Sequence, residues 1–193
     1  MTPGDGDLIV IATSTGGPRA LHAVVPRLPC PVGAGVLVVQ HMPAGFTGPL
    51  AAQLDARSAL TVREASPVDH IDPGTALVAP GGAHLEVTGR GRVRLSHDPP
   101  VGGLRPRADI TIASAARHYG GSLTLVVLTG MGEDGLAGAR AVRAAGGTIV
   151  VEAAATCVVW GMPRAIEHAG LADAVVPLDA IALTVAGAAI GAR

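Results

Sequence analysis

Three short segments of the sequence each end a hydrophobic run with a side chain that could do chemistry. Ser14 follows the run IVIAT, His41 follows GVLVVQ, and Asp134 lies in the glycine-rich segment after LTLVV. Each run is typical of a buried strand in a parallel sheet, and ligands bind outside the carboxyl ends of such strands. We therefore expect a hydroxyl, an imidazole and a carboxylate to meet at one sheet edge. That is the set of groups used by a Ser-His-Asp hydrolase.

The segment around Ser14 allows more than one interpretation. Ser14 lies in the turn TSTGGP, between a strand and a helix that opens at Pro18. A hydroxyl on such a turn projects from the chain, and neighbouring N–H groups can point at an oxyanion. Alternatively, Ser14 or Thr15 only caps the helix, or the turn binds a phosphate at the helix N-terminus. The segment has neither G-x-G-x-x-G nor a P-loop lysine, which disfavours a nucleotide site.

His41 and Asp134 are placed as a base and an orienting acid. A histidine at the carboxyl end of a strand is well positioned as a general base, although a hydrogen-bonded loop histidine is the alternative. Asp134 could hold the imidazole in the required tautomer, or N-cap the following helix, or do both. The neighbouring acid, Glu133, is expected to face solvent.

The sequence offers no set of ligands typical of a metal site. It contains neither an H-x-x-x-H motif nor a Cys/His ligand pair, so we expect no metal. The two cysteines, Cys30 and Cys157, are isolated and do not indicate a disulfide framework. The histidines outside the predicted site are interpreted as surface or structural residues: His22, His70, His84, His97, His118 and His168.

Composition limits the classes of function. The chain has 193 residues, of which 49% are hydrophobic, and this is enough for one domain with a full core. Its formal net charge of −1 provides no basic field for nucleic acid or an anionic membrane. No apolar run reaches the ~18 residues of a membrane-spanning helix, and the N-terminus lacks a secretion pattern. We expect a soluble cytoplasmic domain without membrane insertion.

The alternation of strands and helices predicts an α/β fold with a doubly wound, mostly parallel sheet (Rossmann-like). Four short runs between residues 60 and 96, TVREA, TALVAP, AHLEV and RVRLS, are separated by turn residues. They are interpreted as hairpin strands that extend the main sheet in antiparallel fashion. Residues 97–106 form a Pro/Gly-rich loop suited to crossing near the site. Asp179 is predicted to N-cap the last helix, and Leu28 to lie near the end of the first.

Six motifs together resemble the catalytic domain of the chemotaxis protein-glutamate methylesterases (CheB type). They are ATSTGGPRAL, VVQHMPAGFT, VAPGGAHL, RPRADI, LTGMGEDG and CVVWGMPRA, and the resemblance runs from about Leu8 to Leu183. Members of that family remove methyl groups from methylated glutamates on chemoreceptor helices and release methanol. Many also deamidate receptor glutamines. The resemblance implies a methylated receptor helix as protein substrate, and no cofactor.

The resemblance also assigns roles to individual residues. It implies Ser14 as the nucleophile, His41 as the base and Asp134 as the orienting carboxylate. The backbone N–H of Met131 corresponds to the family's oxyanion donor. Two further residues belong to the implied substrate site: Thr15, beside the nucleophile, and Arg105, at a position that faces the family's cleft.

The sequence departs from the family pattern in three places. The family usually carries an N-terminal receiver domain, whereas here the first strand begins at Leu8. We therefore expect a single catalytic domain, 1–193, that is active without phosphorylation. Arg107 replaces a small polar residue, and Ala153 and Ala154 replace an acidic pair. If the loop that carries these two alanines receives substrate, their presence would alter substrate specificity.

Two rival hypotheses remain beside a serine hydrolase. The first is a catalytically silent relative that uses the same cleft to bind a helical protein partner. The second, more distant one is a phosphate or nucleotide binder.

Overall fold

A computed structural model describes residues 6–191, with side chains as far as residue 186. The strands are β1 (Leu8–Thr13), β2 (Gly35–Gln40), β3 (Thr61–Glu64), β4 (Thr75–Val78), β5 (His84–Gly89), β6 (Arg92–Ser96), β7 (Leu123–Val127), β8 (Thr148–Glu152) and β9 (Ala174–Val176). The helices are α1 (Gly17–Val24), α2 (Thr47–Asp55), α3 (Ala108–Tyr119), α4 (Leu136–Ala144), α5 (Met162–His168) and α6 (Ile181–Gly191). Seven strands form one parallel sheet in the order β3-β4-β2-β1-β7-β8-β9. The predicted α/β class is confirmed.

Both faces of the sheet are covered, which explains the continuous hydrophobic runs in the sequence. Successive residues of a strand point to opposite faces. In β1, Leu8 and Val10 belong to the apolar cluster that includes α3 and α4, whereas Ile9 and Ile11 belong to the cluster that includes α1 and α2. Because every residue of β1 is buried, neither face of the strand carries a polar stripe. No helix in the described part of the chain is both long and apolar enough to cross a membrane.

The interpretation of residues 60–96 is correct for one hairpin and wrong for the other. β5 and β6 pair in antiparallel fashion, but they form a separate two-stranded sheet. β3 and β4 instead join the main sheet side by side and parallel. The connection between them, residues 65–74, carries the chain back to the same end of the sheet, and Ile71 N donates to Gly91 O beside the hairpin. Short alternating runs look the same in parallel and antiparallel pairs, so the pattern alone could not separate them.

Two predicted helix ends differ from the structure. The first helix stops at Val24 and continues only as a 3₁₀ turn, Val25–Arg27. Pro26 has no N–H to donate to the preceding turn, which ends the α-helix there. Asp179 lies within another 3₁₀ turn, Leu178–Ala180, just before α6. Pro177 is the N-cap residue of that turn, and no side chain makes a capping hydrogen bond there.

Candidate active site

Three neighbouring strands bring the predicted site residues to one edge of the sheet. β2, β1 and β7 lie side by side, and each ends at the same edge. The backbone N–H of His41 donates to Thr13 O over 3.2 Å, and that of Ser14 donates to Thr129 O over 3.0 Å. Ser14, His41 and the loop that carries Asp134 therefore begin where adjacent strands stop. This is the arrangement that the strand-end positions predicted.

Two glycines shape the turn that carries Ser14. Gly16 adopts φ +84° and is the N-cap residue of α1, with no side-chain capping bond. Gly17 donates its N–H to Ser14 O over 2.8 Å. A Cβ at Gly17 would collide with Gln40 Oε1 and Thr13 Oγ1, so the turn requires glycine there. The alternative in which Ser14 or Thr15 caps the helix is wrong.

Gln40 connects the segment of Ser14 with that of His41. Its Nε2 donates to Ser14 O and to His41 O, each over 3.0 Å. Its side chain is buried although it ends a strand of otherwise apolar residues. The sequence pattern indicated for Gln40 only that it ends a strand. A polar residue that interrupts a buried run just before the candidate base was the signal that could have identified it.

Thr129 holds the other side of the Ser14 turn. Its carbonyl accepts the Thr13 hydroxyl over 2.8 Å in addition to the Ser14 N–H. Its hydroxyl donates to Thr15 O over 2.9 Å, and its own N–H donates to Glu152 Oε2 over 2.8 Å. Glu152 is fully buried at the end of β8, and its other oxygen has no hydrogen-bond partner among the described residues. Sequence reasoning missed both Thr129 and Glu152.

His41 and Asp134 form a direct hydrogen bond. His41 Nε2 lies 2.8 Å from Asp134 Oδ2, and the two side chains are 8% and 2% exposed. Because Asp134 accepts the Nε2–H, Nδ1 is the ring nitrogen left for a reacting group. Glu133 is exposed, as expected. Within the described part of the chain, no hydrogen bond joins Ser14 Oγ to His41.

Asp134 remains a carboxylate despite its burial. Burial alone would raise its pKa, but the hydrogen bonds from His41 and from the backbone N–H groups of Asp109 and Ala108 lower the pKa to about 2. Ala108 N and Asp109 N are the first donors of α3, where the helix dipole also favours a negative charge. The carboxylate is therefore ionised throughout the neutral range.

Asp134 and Asp109 cap each other's helices. Asp134 accepts the N–H of Ala108 over 2.7 Å and that of Asp109 over 3.0 Å, at the start of α3. Asp109 Oδ1 accepts the N–H groups of Gly135 and Gly138 over 2.9 and 2.8 Å, at the start of α4. The alternative in which Asp134 N-caps the helix following it is wrong, because Gly135 is that N-cap residue. Asp134 caps α3 instead.

A cleft of about 280 Å³ opens beside His41. One wall of the cleft is formed by residues 41–43, and the other by residues 103–106 of the loop after β6. Arg105 lines this cleft, and its Nη1 donates to His97 O and Asp98 O, each over 3.1 Å. The loop of residues 97–106 thus crosses next to the site, as the sequence indicated.

The loop after β7 brings Met131 close to the Ser14 turn. A Cβ on Gly130 would lie 2.9 Å from Ser14 Cβ, so the two segments are in close contact. Within the described chain, the Met131 N–H has no protein acceptor, which leaves it available to a ligand oxygen. Thr15 is exposed beside the nucleophile. The described residues contain no cluster of three or more His, Cys, Asp or Glu side chains that could hold a metal.

The chain is similar in sequence to a family of known proteins. The family model for the CheB methylesterase matches residues 9–185. The protein-glutamate methylesterase/protein-glutamine glutaminase of Symbiobacterium thermophilum is 51% identical over 175 residues, covering 91% of this chain and 48% of that protein. The corresponding protein of Moorella thermoacetica is 47% identical over 190 residues, covering 96% of this chain and 45% of that protein.

A solved structure shows the same fold at high similarity. The crystal structure of the Thermotoga maritima CheB methylesterase catalytic domain matches with a TM-score of 0.91 and 42% identity, covering 95% of this chain and 98% of that chain. This chain spans about half the length of the curated relatives that it matches. The matched family model covers most of the chain, and the chain belongs to the CheB methylesterase family.

Proposed function

We propose that this chain is a single catalytic domain that hydrolyses methyl esters of glutamate side chains on chemoreceptor-type proteins. Glutamine deamidation is its side reaction, and Ser14, His41 and Asp134 are its catalytic residues. The observation that carries the proposal is the 2.8 Å bond from His41 Nε2 to Asp134 Oδ2, at the sheet edge where Ser14 lies. The printed names of the relatives, protein-glutamate methylesterase/protein-glutamine glutaminase, support the same reaction.

In the first half of the proposed reaction, Ser14 Oγ attacks the ester carbonyl carbon. His41 Nδ1 accepts the hydroxyl proton, and Asp134 stabilises the imidazolium through Nε2. The backbone N–H of Met131 donates to the oxygen that becomes negative. As the C–O bond breaks, His41 returns the proton to the departing methoxide. Methanol leaves and an acyl ester remains on Ser14.

In the second half, water replaces methanol. His41 Nδ1 takes one proton from the water while the water oxygen attacks the acyl carbon. The resulting oxyanion again accepts the backbone N–H of Met131. The bond to Ser14 Oγ breaks, and His41 reprotonates that oxygen. The product is a glutamate carboxylate, whose proton passes to solvent. With a glutamine side chain the same steps release ammonia in place of methanol.

The mechanism requires a contact between Ser14 and His41 that forms with substrate bound. The described structure contains no such hydrogen bond. Catalytic hydrogen bonds are often long or misaligned before substrate arrives and tighten in the complex. Asp134 prepares this step, because its bond to Nε2 leaves Nδ1 unprotonated and ready to accept.

Exposed apolar side chains around the site support a protein substrate. Phe46, Met131 and Val158 are 61%, 73% and 53% exposed, and each lies on a loop after one of the strands β2, β7 and β8. A small-molecule hydrolase would enclose its ligand, whereas exposed apolar groups around a shallow cleft are typical of a surface that receives another protein. An amphipathic receptor helix meets this requirement and presents its methylated glutamate to the cleft.

Two further parts of the proposal concern regulation and location. The cleft beside His41 is open to solvent between its two walls, and we expect activity without phosphorylation. Acetyl phosphate should leave turnover unchanged, and a several-fold activation would contradict this. We place the reaction in the cytoplasm, because both cysteines are free thiols, as is typical of proteins in a reducing compartment.

The deciding experiment measures methanol release from a methylated receptor peptide. We expect release by the parent protein and none above background by Ser14→Ala, provided that both melt at the same temperature. A protein that binds the peptide without releasing methanol would be a catalytically silent partner-binding domain. Stabilisation of the fold by nucleotides, without peptide binding, would instead favour the phosphate-binding alternative.

A further inference from the structure

Arg107 uses its whole guanidinium group beside the candidate catalytic acid. Nε lies 3.1 Å from Asp134 Oδ1, and Nη2 lies 3.0 Å from Asp109 Oδ2. The remaining nitrogen, Nη1, donates to Val101 O over 3.2 Å. Arg107 therefore bridges the two carboxylates that cap α3 and α4. The Arg107 side chain is not part of the walls of the cleft beside His41.

The two carboxylates repel each other when both are ionised, and Arg107 is a cation that contacts both. The pKa of Asp109 lies above its ordinary value of 3.8. Burial and the nearby negative charge of Asp134 raise this pKa, whereas the hydrogen bonds from the Gly138 N–H and from Arg107 lower it. Two acids in contact without a cation tend to share one proton. The backbone donors at the two helix N-termini supply only partial charges, whereas Arg107 supplies a full one.

We propose that Arg107 is a positioning residue for the reaction: its guanidinium holds Asp134 and Asp109 as an ionised pair, with Asp134 Oδ2 directed at His41. The part of this inference that concerns turnover rests on the proposed function. The part that concerns the acid pair does not. The rival explanation is mechanical, namely that Arg107 only ties the loop of residues 97–106 to α3 through Val101 O.

Several charged or titratable groups face Asp134 and Asp109 from the neighbouring elements. His41 faces Asp134 from the end of β2, and His84 Nδ1 on β5 accepts the backbone N–H of Arg107 over 3.2 Å. Exposed Glu133 and Arg140 share a surface depression with Arg107 and Asp109. Arg140 makes no hydrogen bond to either acid within the described chain. Arg140→Gln is therefore a control that removes the same charge close by.

The test compares Arg107→Gln, which removes the charge, with Arg107→Lys, which keeps it. The pKa of Asp109 is measured by carboxyl ¹³C NMR, with Asp109→Asn identifying its resonance. We expect Arg107→Gln to raise the Asp109 pKa by about one unit or more, and Arg107→Lys and Arg140→Gln to change it far less. An unchanged Asp109 pKa in Arg107→Gln would overturn the proposal. An equal rise in Arg107→Lys would do the same.

Turnover gives a second readout. We expect Arg107→Gln to lower kcat about tenfold and to leave KM within about twofold, because the residue lies outside the cleft. The acid limb of its kcat profile should move to higher pH, and a mechanical tether would not produce that movement. Equal kcat in Arg107→Gln and the parent would overturn the positioning role. If the parent releases no methanol, the proposed function fails, while the NMR titration still decides the acid pair.

The pH dependence of the melting temperature provides a third test, which applies even if Arg107→Gln is less stable than the parent. Without the cation, protonation of one acid relieves the repulsion between the two. The melting temperature of Arg107→Gln should therefore lie furthest below that of the parent near neutral pH and approach it toward about pH 5. A deficit of equal size at both pH values would favour the mechanical tether and overturn the proposal.

Discussion

The two sides of the candidate site are held by different kinds of interaction. On the nucleophile side, Ser14 sits in a turn secured by backbone groups, two glycines and the Thr129 hydroxyl. On the acid side, Asp134 is held among a cation, a second carboxylate and the N-termini of two helices. The position of the candidate nucleophile therefore depends on steric fit, whereas that of the candidate base depends on charge. Substitutions of shape and of charge should affect the two sides differently.

Among the substitutions that compare the two sides, the largest effect is expected from removing the charge of Asp134. Asp134→Asn can donate to His41 Nε2 and so favour the tautomer whose Nδ1 carries a proton. In serine proteases such a change costs about 10⁴-fold, and a methyl ester has a better leaving group than an amide and needs less help, so we expect a loss of at least about tenfold. Methanol release by folded protein measures it.

Glu133→Gln is the matched control, because that acid is exposed and adjacent in the chain. It should keep nearly full activity. Loss of activity in Glu133→Gln alone would show that the wrong acid has been assigned. Full activity in both variants would mean that no carboxylate of this loop orients the base.

The steric side is tested by Gly17→Ala. The added Cβ would collide with Gln40 Oε1 and Thr13 Oγ1. The side chains of Gln40 and Thr13 connect the strand ends beside Ser14, through Gln40 Nε2 and the Thr13 hydroxyl. We expect destabilisation of about 1–3 kcal/mol, the usual cost of overpacking, and a fall in kcat of roughly tenfold as the nucleophile shifts. Gly74→Ala is the control, since nothing lies within 4 Å of its Cβ position. Equal denaturation midpoints for both variants would contradict the steric account.

Acid pH should weaken the charged side selectively. The pKa of Asp134 is lowered to about 2 in the folded state, below its ordinary value of 3.8. A lowered acid pKa stabilises the fold above the unfolded-state pKa, and this stability is lost as pH falls from about 4 toward 2. The contribution is about 2 kcal/mol. Denaturation at a series of pH values should show this loss in the parent and in Glu133→Gln. If Asp134→Asn showed the same loss of stability at acid pH, Asp134 would not be its source.

The smallest effect is expected at Glu152, the buried acid behind the nucleophile turn. Glu152→Gln keeps an oxygen for the Thr129 N–H, so activity should stay within about twofold of the parent. Glu152→Ala leaves that N–H unpaired at a cost of about 1–3 kcal/mol. Burial, followed by the charge and hydrogen bonding of Glu152, raises the pKa of Cys157 to about 12.

Thiol reactivity provides a specific readout for this pair. In a Cys30→Ser background, Glu152→Gln should make Cys157 react with a thiol reagent at lower pH than the parent does, because the neighbouring charge is gone. Unchanged reactivity would show that burial alone protects the thiol.

The positions of Ser14, His41 and Asp134 could be predicted because each follows a buried run. A run buried on both faces predicts a parallel strand, and parallel strands end at a common edge. The α/β class and the loop beside the cleft followed from the same pattern. The motifs that resemble the CheB family indicated which residue of each loop is the candidate for the chemistry.

The partners of these residues were decided only by the tertiary structure. Asp109 and Arg107 precede α3 or begin it, and nothing in their spacing indicates that they meet Asp134 after β7. Gln40, Thr129 and Glu152 likewise act across strands.

Local sequence determines which faces of an element are apolar and where a strand ends, because burial and turn chemistry act over a few residues. It does not determine whether β3 and β4 pair in parallel, or which carboxylate caps which helix. Those outcomes depend on how distant segments pack, since a hydrogen bond between them forms only after the sheet has brought their backbones together.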